Sequence, residues 1–200
     1  GFILSNTNSN LNASYYQINT LNEIQYNQSV NTNLDPIERE GVDLMFEYQI
    51  DNKQKLMASF NYVNAEFTSG SLTPGTGGDD FCFYDNTTYC SNSSTWKNLM
   101  GGGTTYDLTG KKVPLVSPIS YSIKYANEVI DNTILNVIMK YSDEKYVSND
   151  QENIEPKIPD YYLVDTYLSS ESENSIFTVG INNFFNKKIY DFAVSSTFHD

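Results

Sequence analysis

Apolar and polar residues alternate along most of this chain, and the alternation predicts β-strands. From Gly41 to Ile50 the residues Val42, Leu44, Phe46, Tyr48 and Ile50 take every second position, opposite Asp43, Met45, Glu47 and Gln49. Asp51-Asn52-Lys53 reads as a tight turn, after which Leu56, Ala58, Phe60 and Tyr62 continue the apolar side as far as about Phe67. The stretch from Pro159 to Tyr190 repeats the plan. Tyr162, Val164, Thr166 and Leu168 alternate before a polar turn at Ser170 to Ser175, and Phe177, Val179 and Ile181 alternate after it. A third hairpin is expected from Ile119, Tyr121, Ile123 and Tyr125, a turn near Asn127 to Asn132, and Leu135, Val137, Met139 and Tyr141. Gly1 to Ser5 reads as the end of a strand, Asn6 to Asn10 as its turn, and Leu11 to about Gln25 as the next strand.

The connections follow a rule of their own. Those at Asn6, Asp51, Asn127 and Ser170 are short, while Tyr26 to Asn33, Thr68 to Thr109, Asp143 to Pro159 and the stretch after Lys187 are longer, so short and long alternate. A sheet greasy on one side and wet on the other is half of a sandwich or the wall of a barrel in a bilayer. Tight turns on one rim, long loops on the other and strands of about ten residues are the habit of up-and-down outer-membrane barrels. Greek-key sandwiches give no reason for so regular an alternation. The expected fold is therefore all-β, an antiparallel up-and-down transmembrane barrel segment. Val42, Leu44, Phe46, Leu56, Phe60, Val137, Val164 and Val179 would face lipid, and Asp43, Glu47, Asn61 and Thr178 the lumen.

Composition changes this picture little. Over 200 residues the hydrophobic share is 39% and the charged share only 18%, with 16 Tyr. That is enough apolar surface for a core or a lipid-facing belt. The net charge of -13 argues against nucleic acid as a partner, because a phosphate backbone attracts Lys and Arg. No run approaches the 18 or so apolar residues of a membrane-spanning helix. The mean hydropathy of -0.46 does not exclude a barrel, whose alternation keeps the average low. The chain opens on GFILSNTNSN and stops at Phe198-His199-Asp200, which reads as an internal piece of a larger barrel with open edges.

Candidate chemistry is sparse. Cys82 and Cys90 flank the turn-forming residues of CFYDNTTYC and read as a disulfide pinning the loop tip, consistent with export to an oxidising compartment; the rival is a pair of free thiols or metal ligands. Against metal, no histidine or second cysteine pair lies near to complete a tetrahedral site. The only histidine, His199, has no nucleophile beside it, so no triad-type mechanism is expected, and neither cofactor nor catalytic residue is assigned. The acids cluster in loops, at Asp79-Asp80, Asp143-Glu144, Asp150 and Glu152, where a solvated face is the reading, and none has EF-hand spacing. Gly101 to Gly103 lack the Lys-Ser/Thr of a phosphate loop. Asn86 and Asn92 fit glycosylation triplets, as Asn-rich chains do by chance, and Trp96 could stack on a ring or pack within its loop.

Three segments carry a family resemblance: NLDPIEREGVDLMFEY (Asn33 to Tyr48), GKKVPLVSPISYSIKY (Gly110 to Tyr125) and GINNFFNKKIYDFAVSS, the last similar to the penultimate strand of TonB-dependent receptors of the Gram-negative outer membrane. They stand in the order such receptors have them. The resemblance implies residence in the outer membrane, contact with its lipid, and active uptake of a scarce ligand, most often a ferric siderophore and sometimes cobalamin or an oligosaccharide. It also implies a plug domain, encoded upstream, through which the TonB complex acts. Two alternatives stay open. One is a passive porin; the other is a soluble carbohydrate-binding module using Tyr121, Tyr125, Tyr161 and Tyr167 as a platform.

Overall fold

The computed structural model describes residues 1–27, 30–72, 82–85, 87–90 and 105–193. Among them there is no helix. The strands are β1 (Phe2–Ser5), β2 (Ser9–Thr20), β3 (Ile24–Asn27), β4 (Val30–Asn33), β5 (Ile37–Gln49), β6 (Gln54–Phe67), β7 (Ser71–Leu72), β8 (Cys82–Asp85), β9 (Thr87–Cys90), β10 (Tyr106–Asp107), β11 (Ile119–Ile130), β12 (Thr133–Ser142), β13 (Tyr161–Ser172) and β14 (Ser175–Ile181). Eight of them form one antiparallel sheet in the order β1-β2-β5-β6-β11-β12-β13-β14, and the other six make three two-stranded ribbons in the long connections. Sheet neighbours are thus neighbours in sequence once those ribbons are set aside, as in an up-and-down meander.

Register carries the one-sided pattern across the whole sheet. Leu11 pairs with Phe46, Phe46 with Ala58, Ala58 with Ile123, Ile123 with Met139, and Met139 with Val164. Directly opposed residues share a face, so this row and those beside it make one continuous apolar surface. Val42, Leu44, Phe46, Leu56, Phe60, Val137, Val164 and Val179 all lie on it. Asp43 opposite Asn61, Glu47 opposite Met57, and Thr178 opposite Ser169 lie on the other. Nothing among the described residues covers the apolar side: Phe46, Phe60, Ile123, Leu168 and Val179 remain exposed. Tyr15, Tyr62, Tyr121, Tyr141 and Tyr162 fringe it towards the long connections, with Tyr121 and Tyr141 stacked at 4.9 Å. Tyr48 and Tyr125 fringe it towards the tight turns, where the Tyr125 hydroxyl donates to Gln54 Oε1 at 2.6 Å.

Short polar side chains shape the tight turns by bonding the backbone two or three residues on. Asn6 Oδ1 accepts from the amides of Asn8 and Ser9, and Asp51 Oδ1 from those of Lys53 and Gln54, each at 2.8–2.9 Å. Asn132 takes a positive φ of 59°, which asparagine tolerates, to close β11 onto β12. Glycine has a separate task on the polar face. A Cβ on Gly41 would stand 2.4 Å from the Tyr62 carbonyl oxygen and 2.5 Å from the Tyr16 ring, which lies across it. Gly180 is covered by Tyr167 in the same way, so tyrosine over glycine recurs on this face.

Three boundaries differ from the sequence expectation. β2 ends at Thr20 instead of Gln25. The loop Tyr26 to Asn33 is largely the β3–β4 ribbon. The segment similar to a penultimate strand is strand only to Ile181, because Asn183, at a φ of 50°, turns the chain away and its side chain bonds both the amide and the carbonyl of Lys187, each at 2.8 Å.

Candidate ligand-facing wall and rim

The polar face is organised by bonds between neighbouring strands. Asn61 Nδ2 donates to Asp43 Oδ1 at 2.5 Å across β5 and β6, Ser59 and Ser122 share a hydrogen bond at 2.9 Å across β6 and β11, and Ser169 and Thr178 share one at 3.0 Å across β13 and β14. A groove on this face has Ser14, Asp43, Ser59, Asn61, Ser120 and Ser122 in its lining, together with apolar residues such as Met45. Asp165 is 4% exposed, yet its charge is matched: Lys140 Nζ reaches Oδ2 at 2.9 Å and the Asn183 amide reaches Oδ1 at 2.8 Å. One carboxylate therefore fixes two things, the β12–β13 pairing and the point at which β14 leaves the sheet.

Towards the long connections this wall rises into a rim with its own apolar core. Ile37, Val63, Ala65 and Phe67 continue the polar-face positions of β5 and β6, and Leu108 and Val113 from the β6–β11 connection pack on them. The backbone holds that strap in place, with the Val113 amide donating to the Ala65 carbonyl at 3.0 Å and the Phe67 amide to the Lys111 carbonyl at 2.9 Å. Asn153, from the β12–β13 connection, then clasps Lys112: the Lys112 amide donates to Asn153 Oδ1 at 2.6 Å, and Asn153 Nδ2 donates to the Lys112 carbonyl at 2.9 Å. The stretch after β14 joins in through the Ser148 amide to the Ala193 carbonyl at 2.8 Å and through Lys145 to Asp191 at 2.9 Å. Three long connections are thereby tied together at their bases.

Charge at the rim departs from the sequence expectation. Asp150 and Glu152, read as a solvated face, are 1% and 5% exposed. Asp150 is satisfied by its own turn, accepting from the amides of Ile154 and Glu155 at 2.9 and 3.2 Å. Burial pushes the Glu152 carboxyl above the ordinary glutamate range, and the charges of Asp150 and Glu155 push the same way. Asp191 moves the opposite way, held below the usual carboxylate range by the Lys145 hydrogen bond and charge and by the Tyr161 hydroxyl. On the apolar side, just above the tyrosine fringe, Glu38, Glu40 and Glu66 form an acidic collar. Gln17 bonds Glu38, the Tyr15 hydroxyl approaches Glu40 at 3.4 Å, and Lys112 bonds Glu66.

The remaining sequence candidates fare unequally. Tyr121 and Tyr125 lie on the apolar face while Tyr161 and Tyr167, opposite Ser142 and Asn136, lie on the polar one, so the four make no platform. Asp79, Asp80, Asn86, Asn92, Trp96, Gly101 to Gly103 and His199 lie outside the described residues. Cys82 and Cys90 are register partners in the β8–β9 ribbon. No group of three or more His, Cys, Asp or Glu among the described residues could hold a metal ion. Sequence reading missed the Asn153 clasp and the Leu108–Val113 strap; it marked the regions that carry them only as long connections with clustered acids.

An open meander with one apolar, uncovered face fringed by tyrosine and one hydrogen-bonded polar face is the wall of a membrane-spanning β-barrel. The comparisons with known proteins make the class specific. The chain belongs to the TonB-dependent receptor-like β-barrel family, whose profile matches residues 1–184. Members of that family are transporters of the Gram-negative outer membrane, not enzymes. Among solved structures, the ferric yersiniabactin uptake receptor FyuA from Yersinia pestis matches with a TM-score of 0.64 and 13% identity, over 97% of this chain and 25% of that one. The copper transporter OprC matches with a TM-score of 0.62 and 13% identity, over 94% and 24%. The ferric-catecholate import receptor Fiu from E. coli K12 gives 0.55 and 13%, over 94% and 22%. The chain thus spans about a quarter of these receptors' length. No curated protein sequence matches it. The apolar face is accordingly the lipid face, and the polar face looks into the lumen.

Proposed function

We propose that this chain is wall and outer rim of an active importer that captures a scarce ligand outside the cell, with a ferric siderophore as cargo. The observation that carries the reading is the family match over residues 1–184. The geometry is suited to the task. The lumen face offers hydroxyls, amides and balanced ion pairs to a polar cargo, and the long connections of the rim are tied to one another at their bases. Two of the three structural neighbours are named for ferric chelates and the third for copper, which sets the order in which cargo is tested. Coupling would run through a plug domain encoded elsewhere in the same gene and pulled by the TonB complex.

The test uses the full-length receptor in cells stripped of their other siderophore receptors. Radiolabelled iron is supplied as hydroxamate, catecholate and phenolate chelates, with and without a protonophore. Accumulation of one chelate that the protonophore abolishes supports the reading. Uptake of copper or cobalamin alone, under the same energy dependence, would overturn the cargo and keep the importer. Uptake that ignores the protonophore and follows solute size describes a passive porin and overturns the proposal.

A further inference from the structure

We infer that Cys82 and Cys90 are joined by a disulfide that closes the β8–β9 ribbon, a covalent modification site in the longest connection of the rim. Sequence spacing favours a disulfide over free thiols or a metal pair, and backbone register adds a geometric reason for it. The two cysteines are directly opposed in an antiparallel pair, with Phe83 opposite Tyr89 and Tyr84 opposite Thr88 inside them. Opposed residues in such a pair have Cα atoms about 4.5 to 5.5 Å apart. That interval lies within the roughly 4.4 to 6.8 Å a disulfide spans. These are the only two cysteines of the sequence, so neither has a competing partner within it.

Two further considerations favour the bond. An outer-membrane protein passes through an oxidising compartment, where opposed thiols are converted and stay converted. The ribbon also needs it: β8 and β9 pair only with each other among the described strands, and a lone two-stranded ribbon is marginal in water. The chemistry is exchange with a donor protein's disulfide. One cysteine thiolate attacks a donor sulfur to give a mixed disulfide, the second thiolate displaces the donor, and the donor leaves as a dithiol carrying the two electrons and, with solvent, the two protons the cysteines gave up. The inference rests on residence in the outer membrane and is independent of which cargo is imported.

The experiment takes full-length receptor extracted from outer membranes, unfolds it in the presence of an alkylating agent, with or without prior reduction, and weighs the peptide containing both cysteines. The expected result is an unalkylated peptide lighter by two hydrogens before reduction and a doubly alkylated one after. Double alkylation without reduction, or either cysteine joined to a different partner, overturns the inference. A Cys82→Ser, Cys90→Ser receptor supplies a second reading, through the rate at which an aromatic-directed protease cuts at Phe83, Tyr84 and Tyr89 in intact cells. Cutting severalfold faster than in the parent is expected; equal rates would overturn the bond's hold on the ribbon.

Discussion

Ile123→Lys tests which face of the wall meets lipid, because the site lies in the middle of the apolar rows. Ile123 stands four positions after the start of β11 at Ile119 and four before Asn127, and it is 41% exposed on the apolar face. Four residues of strand are about 13 Å, or roughly 10 Å of depth at the usual barrel tilt. The side chain therefore sits near the bilayer midplane. A lysine placed there on the lipid face costs about 2 to 4 kcal/mol, equivalent to a roughly 30-fold to 900-fold loss in the folding constant. The neighbouring Ser122→Lys puts the same charge on the lumen face beside Lys124, where water and the Ser59 hydroxyl remain within reach, and its expected cost is under about 1 kcal/mol. Urea titrations of the full-length barrel in phospholipid vesicles, both variants against the parent, give the two numbers. Equal costs, or a larger one for Ser122→Lys, would refute the facing and with it the assignment of wall and lumen.

The rim and the glycine contacts make further demands. Asn153→Ala removes both bonds of the Lys112 clasp and leaves a positive-φ site with an unsuited residue; a loss of about 1 to 3 kcal/mol is expected locally, read as faster hydrogen exchange over residues 105–118 with the strands unchanged. Gly41→Val drives a Cβ into the Tyr62 carbonyl and the Tyr16 ring; overpacking of about 1 to 3 kcal/mol should lower the urea midpoint, and Tyr16→Ala in the same chain should recover only the part due to the ring. Glu152 has a raised folded pKa, so its charged form is disfavoured in the fold. The penalty is absent below the unfolded glutamate value and grows as pH rises through the folded one. Glu152→Gln should therefore protect residues 147–158 from exchange more than the parent does at neutral pH and equally in acid. Asp191 has the opposite sign: its contribution is present above the unfolded aspartate value and is lost as pH falls through the folded one. Asp191→Asn should loosen the Lys145 and Tyr161 contacts at neutral pH and change nothing in strong acid, measured by exchange at residues 145–148.

Alternation made the wall legible because its signal is local. Val42 to Ile50 announces its two faces without reference to any other strand, and Asn6, Asp51 and Asn132 mark their turns by side-chain chemistry that acts within three or four residues. The rim was illegible for the converse reason. Asn153 meets Lys112 across 41 positions, and Ser148 meets Ala193 across a whole hairpin. No period in the sequence records such encounters, so Asp150 and Glu152 read as solvated when they are buried by contacts made elsewhere. The tyrosines show the same limit at finer grain. Tyr121 and Tyr161 are chemically identical, and only register sends one to lipid and the other to the lumen. Composition finds the belt, whereas pairing decides the side.

The same pairing bears on the soluble module. Every residue of β14 and of β1 is exposed, and each of these strands has a hydrogen-bonded neighbour on one side only among the described strands. A sheet with two open ladders and an uncovered row running from Leu11 to Val164 would aggregate in water, edge to edge and face to face. In a barrel both liabilities vanish together, since further strands complete the ladders and lipid covers the row. The buried apolar side chains support that division of labour: Ile37, Phe67, Leu108 and Val113 gather at the rim, where water replaces lipid, and the strands between the tyrosine fringes have no apolar core of their own. Packing by side chains begins where the membrane stops.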